Sequence, residues 1–297
     1  MTTYGPNYDA IRLTGEQPNY TLFDSKLIFT HRAGIMCDQR TLQEGWHVQG
    51  NEFTATSVDV PAKESDLYKA RWGVRAYGMR EGRFEENKFR WIHKEHGLYL
   101  DVIGDMLIRR NHFDHCAAQG SQIVNRPNMV LPEWGDMHGA IQFVNNVYDH
   151  CGLWHGSGRA AFACSVFEGA QKVLLKHNKL IHNHNAGEWY SWRPDQNNQP
   201  GAIMVQGRPQ ALINQNQIDY QGMRSRPLIL IKNIAGLARL SGNQFLHGGS
   251  HIDIMDCGDV VIARNEFLGE GAPPQVRVFD GDNILIHDAP VTEDWVS

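Results

Sequence analysis

The sequence predicts an all-β chain wound as a parallel β-helix, a solenoid of about ten coils. Two observations predict it. First, a triplet of Asn, any residue and a large apolar residue recurs at Asn51, Asn87, Asn111, Asn146, Asn178, Asn216, Asn243 and Asn265. Second, positions −3 and −5 from each Asn are nearly always apolar, as in Trp46/Val48, Met106/Ile108, Ile141/Phe143, Val173/Leu175 and Val260/Ile262. Alternation with period two is the mark of a strand. Self-similarity at intervals of 22 to 38 residues is the mark of a stacked repeat.

The elements follow in order. The frame starts without Asn at Ser25, among Tyr20, Leu22 and Leu27, and closes without it at Ala289, among Ile284, Ile286 and Val291. Each Asn is expected at a bend between two short strands, because Asn tolerates the left-handed backbone and bonds neighbouring peptide groups. Identical Asn side chains one strand spacing apart can share amide hydrogen bonds along the stack. Gly lies seven residues before the rung residue at Gly104, Gly139, Gly236 and Gly258, which predicts a first turn there. Ahead of that turn lie the strand-one candidates WGVRAY, GLYLDV, GAIMVQ, LILIKN, HIDIMD and VRVFDG. The long segments near 54–70, 117–133, 152–160 and 183–200 are expected as insertions in the third turn. Residues 1–297 therefore form one domain, a rod of roughly 45–50 Å at about 4.8 Å per coil.

The φ-x-φ-x-x-Asn-x-φ rungs, where φ is apolar, resemble the right-handed parallel β-helices of the pectin-lyase-like superfamily over roughly residues 10 to 292. The resemblance implies a right-handed coil, an Asn ladder in the second turn and a sugar-binding groove along strand one. That superfamily includes polysaccharide lyases, glycoside hydrolases, uronan epimerases and phage tailspikes. No signature of any one of these activities is intact.

Composition narrows the partners. A net charge of −5 with no basic run argues against nucleic acid. No stretch of 18 apolar residues exists, so no membrane span is expected. The opening MTTYGPNYDA has neither a basic nor an apolar signal region, which leaves the cytoplasm, or secretion with a leader removed, as the expected setting. Five Cys without a C-x-x-C pair argue against a disulfide framework. A monomer is expected ahead of a trimer.

Outward strand-one positions are the candidate site, since side chains alternate across a strand. Positions −11 and −13, such as Leu100/Leu98, Val205/Ile203, Ile254/Ile252 and Val278/Val276, are apolar and expected inside. Position −10 then reads Tyr77, Asp101, Asp136, Glu168, Gln206, Asn233, Met255 and Phe279, and −12 includes Arg75, Tyr99, Trp134, Val166 and Ile231. Three stacked acids, Asp101, Asp136 and Glu168, are unfavourable unless compensated. They suit Ca²⁺ coordination, which takes six to eight oxygens, or the paired carboxylates of glycoside hydrolysis.

In the pectate-lyase-like enzymes of the superfamily, Ca²⁺ or Arg neutralises a uronate carboxylate and an Arg or Lys takes the neighbouring proton. On that resemblance Arg208 is the first candidate base and Lys232 the second, with Ca²⁺ as candidate cofactor and an acidic polysaccharide or oligosaccharide as partner. Arg75, Tyr99, Trp134, Trp189, Trp192 and Arg193 are the candidate sugar contacts, since exposed rings stack on pyranose faces. The leading expectation is β-elimination on a pectate-like or alginate-like chain. Glycoside hydrolysis and non-catalytic glycan binding are the alternatives. The repeated Asp114-His115-Cys116 and Asp149-His150-Cys151 are expected to be structural ladders, not metal sites.

Overall fold

The eight Asn rungs are realised as one hydrogen-bonded file. The Nδ2 of Asn51, Asn87, Asn111, Asn146, Asn178, Asn216 and Asn243 each donates to the Oδ1 of the next Asn at 2.9–3.1 Å. The other Nδ2 hydrogen goes to a backbone carbonyl of the preceding rung, as from Asn146 to Ile108 at 2.8 Å. Each Oδ1 also accepts a backbone N–H, as from Asn111 to Asn146 at 2.9 Å. Donors and acceptors of these buried amides are thus satisfied. One detail differs from expectation. The left-handed residue is the one before the rung residue: Asp24 before Ser25, and Gly50, Glu86, Arg110, Asn145, His177, Gln215, Gly242 and Arg264 before the eight Asn, have φ between 46° and 69°. The Asn itself supplies the ladder, and its neighbour makes the bend.

The structure is a computed structural model that describes residues 2–5, 9–29, 32–37, 41–55, 71–92, 95–116, 118–125, 138–152, 162–182, 201–220, 227–247, 251–269 and 275–286. It is all-β with long parallel sheets, and no helix occurs among the described residues. Three files of strands recur along the chain. The first comprises Asp9–Leu13, Ala33–Cys37, Trp72–Arg80, His96–Val102, Gln119–Val124, Phe162–Phe167, Gly201–Arg208 and Pro227–Ile234, each parallel to the next. The second runs from Thr21–Phe23 and His47–Gln49 through Gly82–Glu85, Met106–Arg109, Ala140–Val144, Lys172–Lys176 and Ala211–Asn214 to Ala238–Ser241. His251–Ala263 and Gln275–Ile286 extend through both files. The third is a separate ten-stranded sheet that includes Lys88–Ile92, His112–Cys116 and Val147–Asp149.

The apolar alternation builds the core between these files. Leu98, Leu100, Ile203, Val205, Ile252 and Ile254 are buried together with second-file Phe84, Ile108 and Phe143. Phe53, Phe89, Phe113 and Tyr148 stack from rung to rung with ring centroids 4.8–5.0 Å apart. Such stacked pairs add about 0.5–1.5 kcal/mol beyond their buried area. The five cysteines are buried free thiols.

One insertion lies elsewhere than expected. The stretch near 117–133 holds the first-file strand Gln119–Val124, and the long connection follows it, from Asn125 to His138. That insertion belongs to the first turn, not the third.

Candidate functional site

Register defines the outward face of the first file. Arg75, Tyr99, Gln122, Ser165, Met204, Leu230, Asp253 and Arg277 are successive Cα partners. A second row reads Asp101, Val124, Phe167, Gln206, Lys232, Met255 and Phe279. The expected stack of three acids is therefore not formed. Val124 stands one rung from Asp101 where Asp136 was expected, and Phe167 stands where Glu168 was expected.

The cause is turn length. Left-handed corner residues come one position after the second row, at Glu168, Gly207, Asn233, Asp256 and Asp280. The corner is ten residues before Asn178 and Asn243, but nine before Asn216 and Asn265. One extra residue in the first turn moves every side chain counted through it to the other face. Val166 and Ile231, expected outside, are accordingly core residues. Asp136 and Trp134 lie in the first-turn insertion, outside the described residues.

The outward face carries an apolar cluster of its own. Ala33, Met36, Trp72, Tyr77, Tyr99 and Val124 are buried there, with Phe167 packed against them. The Arg75 guanidinium carbon sits 4.2 Å from the Trp72 ring centroid, 5.1 Å from Tyr77 and 5.3 Å from Tyr99. Cation–π contacts of this kind contribute about 0.5–2 kcal/mol each, more when desolvated. The expected pair Arg75 and Tyr99 is thus brought together. Trp72 and Tyr77, which complete the cage, were not among the expected sugar contacts, although they open and close the segment WGVRAY that holds Arg75.

A buried polar corner adjoins this cluster. Arg208, at the end of Gly201–Arg208, is 1% exposed. Its Nη1 donates to Gln171 Oε1 at 2.6 Å and its Nη2 to the Phe167 carbonyl at 2.8 Å. Gln171 Nε2 and Asn125 Nδ2 both donate to the Val102 carbonyl, at 3.3 and 2.8 Å. Burial pushes the Arg208 guanidinium down to about 9, while the charges of Asp101 and Glu168 act in the opposite direction. Asp101 is 2% exposed, so it does not project into solvent as expected. Glu168 is an exposed left-handed corner whose N–H donates to the Gln206 carbonyl at 2.7 Å. Gly169 takes φ +131°, a region essentially confined to glycine, and a Cβ there would collide with Arg208 Nη1. Gln171 and Asn125 were not expected in the site; only the corner geometry brings them to Arg208.

Lys232 stands beside Gln206 on the neighbouring rung, part-exposed, with Nζ 3.9 Å from Asp256. Farther along, Arg277 grips Asp253 with two bonds of 2.7 Å. Trp189, Trp192 and Arg193 lie outside the described residues. The segments that hold them and Trp134 leave from and return to this stretch of rungs, at Asn125 and His138 and at His182 and Gly201.

Of the candidate Ca²⁺ ligands, Asp136 lies outside the described residues and Asp101 has Val124 as its neighbour on the next rung; among the described residues no three of His, Cys, Asp and Glu converge to hold a metal ion. On the third sheet, Trp91, His115 and His150 stack at 4.3 and 4.8 Å, and each imidazole Nδ1 lies 2.5 Å from the preceding Asp. Comparison with protein-family models, with curated proteins and with solved structures gives no match for this chain.

Proposed function

We propose that the chain is a right-handed parallel β-helix of about ten coils, of the pectin-lyase-like kind, spanning 1–297 as one domain. It binds a uronate-containing polysaccharide along its first-file face and cleaves it by β-elimination. The observation that carries this is the Arg208 corner. A guanidinium pushed down to about 9 lies near two carboxylates, on a face that also presents Arg75 and Lys232. Perturbed ionisable groups concentrate where chemistry is done.

In the reaction, Lys232 pairs with the uronate carboxylate and so acidifies the C–H beside it. Arg208, in its neutral form and released from Gln171 and the Phe167 carbonyl as the corner opens to the sugar, accepts that proton. The C–H electron pair forms the new C=C bond as the glycosidic C–O bond breaks, and the leaving oxygen takes a proton from water. Arg75, held against the buried Trp72, Tyr77 and Tyr99 rings, offers a further cation for a neighbouring uronate carboxylate. No step runs through Ca²⁺.

The near-complete burial of Arg208, with both terminal nitrogens engaged, favours a second reading. In it Arg208 only stiffens the corner, and the protein binds acidic glycan without turnover. The test incubates the chain with polygalacturonate and alginate and follows the ultraviolet absorbance of unsaturated ends. Growth of that absorbance, lost in Lys232→Ala and Arg208→Lys, supports cleavage. Binding without absorbance supports the second reading, and absence of both overturns each.

A further inference from the structure

We propose that the outward face of the second file carries a separate groove for a neutral oligosaccharide of about three sugar units. A cavity of about 530 Å³ opens there, lined by His47, Glu81, Arg83, Asp105, Leu107 and Gln142 together with corner glycines. That volume lies within the usual 300–1,000 Å³ of small-molecule sites. His47, Arg83, Leu107 and Gln142 are successive Cα partners, so the groove crosses four rungs along the rod. Three spacings of about 4.8 Å give roughly 14 Å.

The chemistry of the lining selects the ligand. Glu81 and Asp105 offer acceptors on one side, and Arg83 and Gln142 offer donors among the outward strand residues. Between them Leu107 forms an apolar strip, kept low because Gly82 has no Cβ and lets the buried Met106 close up beneath it. Planar polar groups on both sides of an apolar strip match a sugar ring, whose hydroxyls both give and accept while its C–H face needs apolar contact. One cation against two acids leaves no surplus positive charge, so a uronate chain is disfavoured here. A peptide is disfavoured too. The strands under the groove are paired on both sides, so no ladder groups remain for strand addition.

Several of these groups are already held in place. Asp105 Oδ1 accepts the Ala140 N–H at 2.7 Å, and His47 Nε2 lies 3.2 Å from Oε2 of buried Glu85. Such fixing lowers the ordering cost of binding. The groove lies on a different sheet face from Lys232 and Arg208 and depends on neither.

The experiment titrates linear neutral trisaccharides of glucose, mannose and xylose against the whole chain by calorimetry and by chemical-shift perturbation. Arg83→Ala, Gln142→Ala and Leu107→Arg, all at outward positions, are compared with Lys232→Ala. The expected result is binding of at least one trisaccharide, weakened about tenfold or more by each second-file substitution and unchanged in Lys232→Ala. Thermal unfolding of every variant controls for folding. Failure of all three sugars to bind, or binding that survives Arg83→Ala and Leu107→Arg, overturns the proposal. Uronan binding that Lys232→Ala alone removes belongs to the first-file face, so the two sites succeed or fail separately.

Discussion

Arg208 Nη1 and Gln171 Oε1 are 2.6 Å apart, and neither side chain reaches solvent. Gln171 also donates to the Val102 carbonyl, so one carboxamide ties a buried cation to the backbone of a strand three rungs away. Replacing Gln171 by Ala removes that acceptor from a charged donor with no water in reach. The expected cost is about 1–3 kcal/mol. Urea unfolding should show a lower midpoint with the slope unchanged. A midpoint equal to that of the parent protein would mean the corner repacks without loss.

The amide ladder predicts a gradient of cost along its length. Asn146→Ala leaves the Asn111 amide and backbone N–H and the Ile108 carbonyl short of partners, all of them buried. About 2–4 kcal/mol should be lost. Asn265 ends the file at a part-buried position, where water replaces some of the missing bonds. Its substitution should cost clearly less. Chemical denaturation of the two variants, side by side, checks the order.

The third-sheet dyads predict opposite responses to acid and base. The hydrogen bond to Asp149 raises the His150 pKa above its usual 6.5, and burial only partly offsets this. A raised pKa means stability that is present below pH 6.5 and lost as pH climbs through the folded value. For Asp114 burial acts upward, but the His115 hydrogen bond and nearby positive charges leave the carboxyl below its usual 3.8. Its contribution is present above that pH and lost as pH falls through the folded value. Asp149→Asn should therefore flatten the alkaline limb of the stability profile and spare the acid limb. Melting temperatures measured across the two windows would show it, and loss of both limbs together would refute the assignment.

Register on the first-file face can be fixed by cross-linking. Val124 and Phe167 are Cα partners on adjacent strands, about 4.8 Å apart by strand spacing, inside the 4.4–6.8 Å window for a disulfide. Val124→Cys with Phe167→Cys should close on oxidation. Val124→Cys with Glu168→Cys should not, because Glu168 is the left-handed corner and turns away. Mass spectrometry of non-reduced digests distinguishes the pairs.

These residues also show how far the sequence could be read. The Asn rungs and the inward pairs such as Leu98/Leu100 were legible because burial imposes period two locally. The outward row was not, because the first turn between it and the Asn varies in length by one residue. The corner column Glu168, Gly207, Asn233, Asp256 and Asp280 is mostly the Gly, Asn and Asp expected at left-handed positions, and counting from it places Phe167 and Lys232 correctly. The burial of Asp101 and Tyr99 had no such local signal. It arises from packing among rungs more than twenty residues apart in the chain.

From Asn51 to Asn243, every carboxamide donates one N–H to the next carboxamide in the same direction, from the earlier rung to the later one. The file therefore has a polarity, like a row of magnets laid nose to tail. A rung in the interior is held from both sides, whereas the last one is held from one side only. Such a molecule should fray from its tips and hold longest at its waist, where the Arg208 corner is built.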